Sequence, residues 1–519
     1  MPDPVHRSGA PDQADVAVYG ATAGGVMAAI GAAEEGAHTI LVSANAHVGG
    51  MVSGGLGKTD IERQERIIGG LAARFFALVG AHYGEAAAYR FEPSVAERTL
   101  RGMLAAAGVA VVQDAPLADV HATGGRIDAI SLHGHDPIAA GVLIDASYEG
   151  DLLRAAGVSH AIGREGRVRY GERLAGRVEL LPNPHQFRRG ISAFDRAGEL
   201  LPGVRPYDQL VPTGAGDGLI QSYCYRVCLT DDPARRIPFG PPPGYDPQRY
   251  AILERYLAAL GDEATMPDVL GIGRTRNGKT DVNSGGPVST NLLGASQGYP
   301  TAAPDERARI ADDHRTWAQG LLYLLSTDAA VPSRIRDELG AFGLPDDEFT
   351  DTGHWPHQLY VREAARMLGE HVLTEHDLRS NGSVPDAIGM GGYNVDVREV
   401  QWVAAPIYRF PEVHPEVMVE GYLSVPVEPY SIPYRSLLPR RDECANLLVP
   451  VCISASHVAF SSFRMEPQYM IAGESAGVAA AMAARAGVGP HDVDTDGLVS
   501  RLRARGQVLT AADVGASAG

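Results

Sequence analysis

The feature that most constrains this chain is a strand, a glycine-rich turn and a helix close to its N-terminus. Residues 15–19 are apolar on both faces and predict a buried strand. The glycine-rich turn at 20–25 follows, the small residues of 26–35 predict a helix, and 39–42 predict a second strand. Together they indicate a βαβ unit of the length that a mononucleotide fold needs, within an α/β protein.

The residues of this turn have separate roles. Gly20 permits the tight turn, and Gly25 lets the helix pack close to the strand. The free backbone N–H groups at the start of the helix can then hold a pyrophosphate. Two positions depart from the G-x-G-x-x-G pattern: Thr22 replaces its second glycine, and Ser43 stands where an acidic residue usually binds the ribose. The alternative is a glycine-rich turn in another kind of α/β protein.

Length and charge exclude several classes of partner. The chain has 519 residues and a net charge of −18, which argues against nucleic acid and anionic membranes. No apolar run reaches the roughly 18 residues that a membrane span needs, and the N-terminal tail lacks the apolar core of a signal peptide. We therefore expect a cytoplasmic protein with a small-molecule partner.

The four cysteines do not indicate disulfides or a metal site. A disulfide framework is typical of much shorter, cysteine-rich chains. Cys224 and Cys228 are four residues apart but have no histidine partners at the spacing of a zinc site. We expect no bound metal.

Lysine is rare in this chain. Lys58 and Lys279 are the only lysines among 45 basic residues, and both lie in the tetrapeptide Gly-Lys-Thr-Asp. An ammonium group differs chemically from a guanidinium, so at least one lysine is expected to be required as such; chance retention is the alternative. Lys279, Asp281 and Asn283 alternate and would share one face of a strand. That face could bind a hydroxylated substrate or brace two parts of the molecule.

The nucleotide-binding patterns occur in two separate parts of the sequence. They fill residues 14–163 and return in 431–510, whereas 164–430 are rich in Pro, Tyr, His and Asp and predict an inserted α+β cap. Residues 1–13 are expected to be a disordered tail, and 511–519 a second tail. Helices are predicted at 67–83, 94–107, 247–260, 303–326, 332–341, 355–371 and 467–486, and strands at 109–112, 118–133 (a meander), 142–145 and 446–450.

Six segments, in this order along the chain, resemble one known family. They are DVAVYGATAGGVMAAIGAAEEGA, HVGGMVSGGLGKTD, LIDASYEGDLLRAAGV, NGKTDVNSGGP, GHWPHQLYVREAARM and NLLVPVCISASHVAFSSFRMEPQYMIAGESAGVAAA, and they span residues 15–483. The family is that of the FAD-dependent oxidoreductases called xanthan lyase-like, which are similar to glutathione-reductase-type flavoproteins. The resemblance implies a Rossmann-like, glutathione-reductase-type FAD domain that is discontinuous, with the cap inserted.

The resemblance also implies which residues hold a non-covalent FAD. An N-terminal helix dipole aimed at the N1/O2 edge of the flavin would stabilise its reduced form. The implied contacts are Gly20, Thr22, Ala23, Gly24 and Gly25 at the pyrophosphate; Gly49, Gly50, Met51, Ser53 and Gly54 beside the ribityl chain or isoalloxazine; Arg464, Met465 and Glu466 at the start of the last long helix; Ser43 at the ribose; Val112 at the adenine; and Asp145 with Ala146, which close the site. A covalent link through His47, as some related flavoproteins have, is the alternative.

Four residues are candidates for the chemistry. His457 follows the strand at 446–450 and precedes the last long helix, which places it on the substrate side of the flavin; a structural histidine is the alternative. His357 is expected in the first turn of the helix at 355–371, where packing is the alternative role. Lys279 and Asn283, on the alternating face, complete the set.

Two further pairs of residues are weaker candidates. Arg362 and Arg366, four apart on the predicted helix, could bind an anionic substrate or lie on a solvated face. Glu149 and Asp151 are expected to end a strand near the flavin, and the alternative role of Asp151 is to cap a helix.

These patterns predict an FAD-dependent dehydrogenase or oxidase. Its substrate would be a small polar molecule such as a sugar, a polyol or a natural-product intermediate, oxidised by hydride transfer to flavin N5. No second strand, G-x-G-x-x-G turn and helix is evident, so a built-in NAD(P)H site is not supported. The alternatives are a flavin monooxygenase, although the W-x-W-x-I-P signature of halogenases is absent, and a lyase or non-redox flavoprotein.

Overall fold

The computed structural model describes residues 12–59, 64–380, 384–409 and 411–516 of the chain. Its strands are β1 (Asp12–Tyr19), β2 (Thr39–Val42), β3 (Ala110–Val112), β4 (Leu117–Thr123), β5 (Arg126–Leu132), β6 (Ile138–Asp145), β7 (His160–Ala161), β8 (Val204–Pro206), β9 (Arg236–Ile237), β10 (Leu270–Arg274), β11 (Thr280–Ser284), β12 (Leu344–Pro345), β13 (Arg366–Met367), β14 (Ala387–Gly391), β15 (Val395–Val397), β16 (Gln401–Arg409), β17 (Glu412–Glu420), β18 (Leu423–Val425), β19 (Tyr430–Pro433) and β20 (Leu447–Leu448). Its α-helices are α1 (Ala23–Glu34), α2 (Gly70–His82), α3 (Pro93–Ala107), α4 (Asp151–Ala155), α5 (Arg167–Tyr170), α6 (Ala251–Leu260), α7 (Pro304–Thr327), α8 (Ser333–Gly340), α9 (Glu375–Arg379), α10 (His457–Phe463), α11 (Glu466–Ala486), α12 (Thr495–Ala504) and α13 (Ala511–Ala516).

The largest sheet has the strand order β3-β2-β1-β6-β5-β4, and β20 pairs with β6 on the same sheet. The pairs among β3, β2, β1, β6 and β20 are parallel, whereas β4, β5 and β6 form an antiparallel meander. Val18 lies opposite Leu41 on one side and Ile144 on the other, and all three are fully buried. Strands buried on both faces explain the uninterrupted apolar runs of the sequence. The predicted α/β class with a parallel sheet is confirmed.

Most of the predicted elements are confirmed, with small shifts at their ends. Helix α1 begins at Ala23, three residues earlier than predicted, because the Thr22 hydroxyl accepts a hydrogen bond from the Gly25 N–H at 3.1 Å and so caps the helix. Helices α2, α3, α6, α7, α8 and α11 and strands β2 to β6 and β20 lie where the periodicity predicted them.

The helix predicted at 355–371 is wrong. The segment is mostly irregular. Tyr360 forms an antiparallel bridge with Cys224, and the two residues of β13 pair with β7. Residues 361–367 are all buried, so the segment has no exposed face of the kind an amphipathic helix presents. Arg362 and Arg366 are therefore not neighbours on a helix, and neither lies on a solvated face.

The chain ends also differ from the expectation. Residues 12 and 13, assigned to the disordered tail, belong to β1, and 1–11 lie outside the described residues. Residues 511–516, assigned to the second tail, form α13, and 517–519 lie outside the described residues.

Helix α1, near the start of the described chain, packs directly against α11, near its end. A Cβ atom on Gly473 would lie 2.0 Å from the Gly24 carbonyl oxygen, and one on Gly477 would lie 2.0 Å from that of Ala28. The two helix backbones therefore touch, which only glycine permits at these positions. Strand β20 joins the main sheet and is followed by α10 and α11, so residues after 446 complete a layer that starts at β1.

The chain between β6 and β20 forms smaller sheets and helices α4 to α9. These sheets pair β16 with β17 and β8, β10 with β11, β14 with β19 and β15 with β18. None of the helices in the described ranges combines the length and apolarity that a bilayer crossing requires.

We expect Gly473→Ala to destabilise the protein. The added methyl group forces α1 and α11 apart, and overpacking of this kind costs about 1–3 kcal/mol. Gly102→Ala is the matched control, because Gly102 is also helical but has open space around its Cβ position. The control should be neutral or more stable by about 0.5–1 kcal/mol. Thermal unfolding measures both variants, and a Gly473→Ala protein that melts no earlier than wild type would contradict the prediction.

Candidate functional site

A cavity of about 790 Å³ opens at the carboxyl ends of β1, β2 and β6. This edge is where open α/β sheets bind nucleotides. Most of its wall comes from the segments that follow these three strands, and one side is closed by the middle of the chain. The lining residues include Gly20, Thr22, Ser43, His47, Gly50, Tyr148, Glu149, Asp151, Arg154, Tyr225, Tyr299, Arg307, His357, Gln358 and Leu359.

The turn after β1 has the geometry of a phosphate-binding turn. Gly20 has a φ of +98°, and a Cβ there would lie 2.4 Å from the Ser147 nitrogen; a Cβ on Gly25 would lie 1.9 Å from the Gly20 carbonyl oxygen. Thr22 donates a hydrogen bond to the Ala146 carbonyl at 2.8 Å, so it ties the turn to the end of β6. Helix α1 has no acidic residue in its first turn, so its positive end can bind an anion.

The loop after β2 is joined to the start of α11 through one tyrosine. The Tyr148 hydroxyl accepts a hydrogen bond from the Met51 N–H at 2.9 Å and donates one to Glu466 Oε1 at 2.7 Å. A Cβ on Gly50 would lie 2.3 Å from that hydroxyl, so the loop needs glycine at this point. Ser53 holds the same loop by donating to the Val48 carbonyl at 2.7 Å.

Glu466 is buried at the first residue of α11. Burial raises the pKa of Glu466 to about 8, although the hydrogen bond from Tyr148 opposes the shift. Its second oxygen, Oε2, is buried without a hydrogen-bond partner among the described residues. The Glu466 carboxyl is therefore largely protonated at neutral pH.

The other residues expected at the cofactor occupy different positions around the turn. Ser43 lines the cavity and donates a hydrogen bond to the His47 carbonyl at 2.8 Å. Val112 ends β3 opposite Val42 and is not part of the cavity wall. Asp145 is fully buried and accepts hydrogen bonds from Ser147 and Leu153, and its burial raises its pKa to about 6. It shapes the turn that follows β6.

Four polar residues of the cavity wall come together in two pairs from distant parts of the chain. Glu149 accepts a hydrogen bond from the Tyr299 hydroxyl at 3.0 Å, and Arg307 donates to Asp151 at 2.7 Å. Burial and the nearby Asp151 raise the pKa of Glu149 to about 7, while Arg307 and Tyr299 oppose the shift. A carboxyl that titrates near neutrality on a cavity wall can take or release a proton.

The sequence carried no local signal for this arrangement. Glu149 lies in the expected place after β6, but Tyr299 comes from the turn before α7 and Arg307 from the first turn of α7, far along the chain. Asp151 is the first residue of α4, and Gly150 occupies the cap position, so the helix-cap alternative for Asp151 is wrong.

Two histidines stack at another part of the wall. The rings of His47 and His357 lie 3.7 Å apart and nearly parallel. The hydrogen bond to Glu97 raises the pKa of His47, whereas burial, reinforced by His47, lowers the pKa of His357 to about 4. Both ring nitrogens of His357 are buried without a partner among the described residues. A neutral imidazole with two unused nitrogens can bond a polar occupant of the cavity.

His457 lies away from the cavity wall. It begins α10, is almost fully buried, and its Nδ1 lies 2.8 Å from Glu363 Oε1. Glu363 also pairs with Arg366, and these charges hold the pKa of Glu363 down to about 2 against the effect of burial.

Lys279 and Asn283 also lie outside the cavity wall. The Lys279 ammonium group lies 2.7 Å from Glu92 and 2.8 Å from Glu348, which links β11 to the start of α3 and to the loop before His357. These contacts favour the bracing role over the substrate role. Asn283, on β11, accepts a hydrogen bond from the Ser284 N–H at 2.8 Å.

The cavity as a whole fits a dinucleotide cofactor. The glycine turn, the positive end of α1 and the unused nitrogens of His357 all meet the same space, which has the size of a small-molecule site. Within the described residues, no group of three or more His, Cys, Asp and Glu side chains is arranged to hold a metal ion.

Comparison with known proteins agrees with this geometry. The family model described as FAD dependent oxidoreductase matches residues 15–504. No curated protein matches the chain.

Solved structures match over smaller parts of the chain. OTEMO in complex with FAD and NADP is 17% identical over 26% of this chain and 25% of its own, with a TM-score of 0.21. The 3-ketosteroid-delta4-(5alpha)-dehydrogenase of Rhodococcus jostii RHA1 is 16% identical over 29% and 49%, with a TM-score of 0.19. The myxobacterial chondrochloren halogenase CndH is 17% identical over 30% and 41%, with a TM-score of 0.23. The chain thus covers half or less of each of these structures.

We expect Glu466→Gln to flatten the dependence of stability on pH. The folded protein keeps the Glu466 proton up to about pH 8, whereas an unperturbed glutamate releases it near 4.5, so wild type loses stability as pH rises between these values. The loss approaches about 1.4 kcal/mol per pH unit within this window. Melting temperatures at pH 5 and pH 8.5 measure the effect: the variant should match wild type at pH 5 and exceed it at pH 8.5.

The exposed Glu412 provides the control for this experiment. Glu412→Gln should follow wild type at both pH values. Equal pH dependence in wild type and Glu466→Gln would show that the Glu466 carboxyl is ionised in the folded protein at neutral pH.

Proposed function

We propose that this chain, which belongs to the family of FAD-dependent oxidoreductases, is a dehydrogenase or oxidase of a small polar molecule such as a sugar, a polyol or a natural-product intermediate. FAD is its cofactor, and when bound it supplies the acceptor for a hydride. The observation that carries the proposal is the shared cavity, where the nucleotide-binding turn and the titrating carboxyl of Glu149 meet.

The proposed cofactor contacts follow from the walls of this cavity. The turn of Gly20 and Thr22, at the positive end of α1, would hold the pyrophosphate, and Ser43 would bind the ribose. Gly50 and Met51 lie on the same side, where Tyr148 fixes the loop backbone. Neutral His357 offers a ring nitrogen to a polar group of the cofactor or the substrate.

The proposed proton acceptor is Glu149. With a pKa of about 7, its carboxylate can accept the proton of a hydroxyl or amine group while the hydride leaves the adjacent carbon. The Tyr299 hydroxyl orients Glu149 through their hydrogen bond, and Arg307 lies close enough to stabilise its ionised form. His457 was the candidate from the sequence, but its pairing with Glu363 supports a positioning role instead.

The proposal includes the division of the chain into domains. Residues 14–163 and 431–510 would form a discontinuous, glutathione-reductase-type FAD domain, and 164–430 a cap over the substrate. The way β20 and α11 return to β1 and α1 supports this division, and Tyr299 and Arg307 would be the contribution of the cap to the cavity. The closer affiliation with xanthan lyase-like proteins and a cytoplasmic location belong to the same proposal.

We expect Thr22→Val to weaken FAD binding about fivefold. The valine keeps the shape of the side chain but cannot accept the Gly25 N–H or donate to Ala146. Loss of a helix cap costs about 1 kcal/mol, and the N–H groups of the turn would no longer be held in place. Titration of FAD-free protein with FAD, followed by flavin fluorescence, gives the dissociation constant. Thr22→Ser is the control and should bind as wild type; equal binding by the valine variant would exclude this role.

We expect Glu149→Gln to slow anaerobic flavin reduction by the substrate roughly 100-fold or more, because the amide cannot accept a proton. The experiment mixes the FAD-loaded protein without oxygen with a panel of sugars and polyols and follows the loss of visible flavin absorbance. In wild type the rate should rise with pH and level off above about 7, since only the ionised carboxylate accepts a proton. The variant should lose this pH dependence.

The exposed Glu412 again provides the control, and Glu412→Gln should react as wild type. Bleaching by NAD(P)H alone, with none by the panel, would replace this proposal with the monooxygenase alternative. A protein that binds no FAD would refute the proposal at its first step.

A further inference from the structure

Arg362 is a fully buried cation without an acidic partner. Its guanidinium donates hydrogen bonds to the Ser222 carbonyl and, at 3.3 Å, to Cys224 Sγ, and it makes no salt bridge with a carboxylate of the described residues. It lies 4.5 Å from the centre of the Tyr360 ring. Burial lowers the pKa of Arg362, and the nearby Arg398 and Arg464 lower it further. An uncompensated buried charge is strongly destabilising unless a counter-ion meets it.

Two more arginines lie near Arg362, one beside Tyr360 and the other beside Tyr422. Arg464 donates to the Tyr360 hydroxyl at 3.0 Å and pairs with Asp396 at 3.0 Å. Arg398 donates to Ser284, lies over the Tyr422 ring at 5.7 Å and reaches Glu399 only at 3.5 Å. We call Arg362, Arg398 and Arg464 the arginine cluster.

The arginine cluster has unused hydrogen-bond donors. The Nε atoms of Arg398 and Arg464 are both buried and have no partner among the described residues. The two side chains are 10% and 1% exposed, so bulk water solvates them poorly. Buried guanidinium donors are normally paired, and two unpaired donors in one cluster indicate an acceptor from outside the chain.

The charges of the cluster do not balance. Within the part of the chain that the structure describes, three guanidinium groups face two carboxylates, Asp396 and Glu399. Glu399 is in addition shared with His185, whose Nδ1 lies 2.5 Å from its Oε1, and with the Asn291 amide. At least one positive charge therefore remains uncompensated in a buried setting.

Two segments connect the cluster with the cavity described above, although none of its three arginines is part of the cavity wall. Gln358 and Leu359 line the cavity, and Tyr360 is the next residue on the same segment. Tyr225 also lines it, and its neighbour Cys224 pairs with Tyr360. Tyr360 and Tyr422, whose rings contact the guanidinium groups, are each partly exposed.

We propose that the arginine cluster is a binding site for the carboxylate group of a small organic acid. One uncompensated charge matches a monoanion, and the planar carboxylate can accept two parallel N–H bonds from a guanidinium edge. The tyrosine rings hold the guanidiniums in place before the acid binds. The site is distinct from the proposed redox function: Arg464, which the resemblance assigns to FAD, is held by Tyr360 and Asp396 and is not part of the cavity wall.

The test uses the FAD-loaded protein and a matched pair of probes, acetate and its neutral analogue acetamide. Calorimetric titration at constant sodium chloride measures their binding directly, without turnover and without the flavin spectrum. Acetate should bind with a dissociation constant on the order of millimolar, as its few atoms allow, and acetamide should not bind measurably. Acetamide binding as tightly as acetate, or no acetate binding, would overturn the proposal, as would equal affinity for phosphate.

Variants assign the binding to the cluster. Arg362→Gln and Arg398→Gln should each weaken acetate at least about tenfold, since each removes a charge and its donors. Arg409→Gln is the control with the same loss of charge on an exposed strand, and it should bind acetate as wild type. Equal acetate affinity in all three variants would refute the site.

A crystal structure of the wild-type protein with acetate tests the site even if the variants do not fold. The acetate carboxylate should lie within hydrogen-bond distance of Arg398 Nε or Arg464 Nε in the wild-type protein, and its absence there would overturn the proposal. The two proposals can fail separately. If acetate binds but none of the sugars and polyols reduces the flavin, the carboxylate site is upheld and the redox proposal is refuted. Competition between acetate and a reducing substrate would assign the carboxylate to that substrate, and independent binding would assign it to a separate ligand; both uphold the site.

Discussion

The contact between the backbones of α1 and α11 is the constraint on which the rest of the structure depends. Gly473 and Gly477 let α11 lie directly on the carbonyls of Gly24 and Ala28. This approach places the start of α11, with Glu466, beside the turn that ends β1 and the loop at Met51. These two glycines therefore determine which polar groups come together beside the cavity, although glycine has no polar side chain of its own.

Burial sets the protonation of the polar groups around this contact. Glu466, which is buried with one hydrogen bond from Tyr148, keeps its proton near neutrality, whereas Glu149, with Tyr299 and Arg307 beside it, titrates near pH 7. His357 loses its proton for the same reason that Glu466 keeps one, because the charged form of each is poorly solvated. The cavity wall thus combines a neutral imidazole, His357, with a carboxyl that exchanges its proton near neutrality, Glu149.

The sequence predicts those parts of the fold whose reasons are local. The βαβ unit, helix α11 and most of the middle helices follow from periodicity and small residues, and the cofactor family from motifs within single segments. The helix prediction for 355–371 is wrong because pairing with Cys224 and β7 determines the conformation of this segment, and no local pattern reveals such pairing. For the same reason, the sequence does not predict the contact of Glu149 with Tyr299 or that of His457 with Glu363.

The late return of the chain to its first sheet has a consequence for biosynthesis. Ile127 and Asn446 share hydrogen bonds across 319 residues, and β20 and α11 leave the ribosome only after the whole middle region. Until then, α1 has no α11 to cover it, and the β6 edge has no β20. A nascent chain must therefore carry an incomplete, apolar nucleotide fold for most of its synthesis, and such surfaces are those that chaperones bind. We expect folding after release, limited by long-range pairing rather than by the formation of helices.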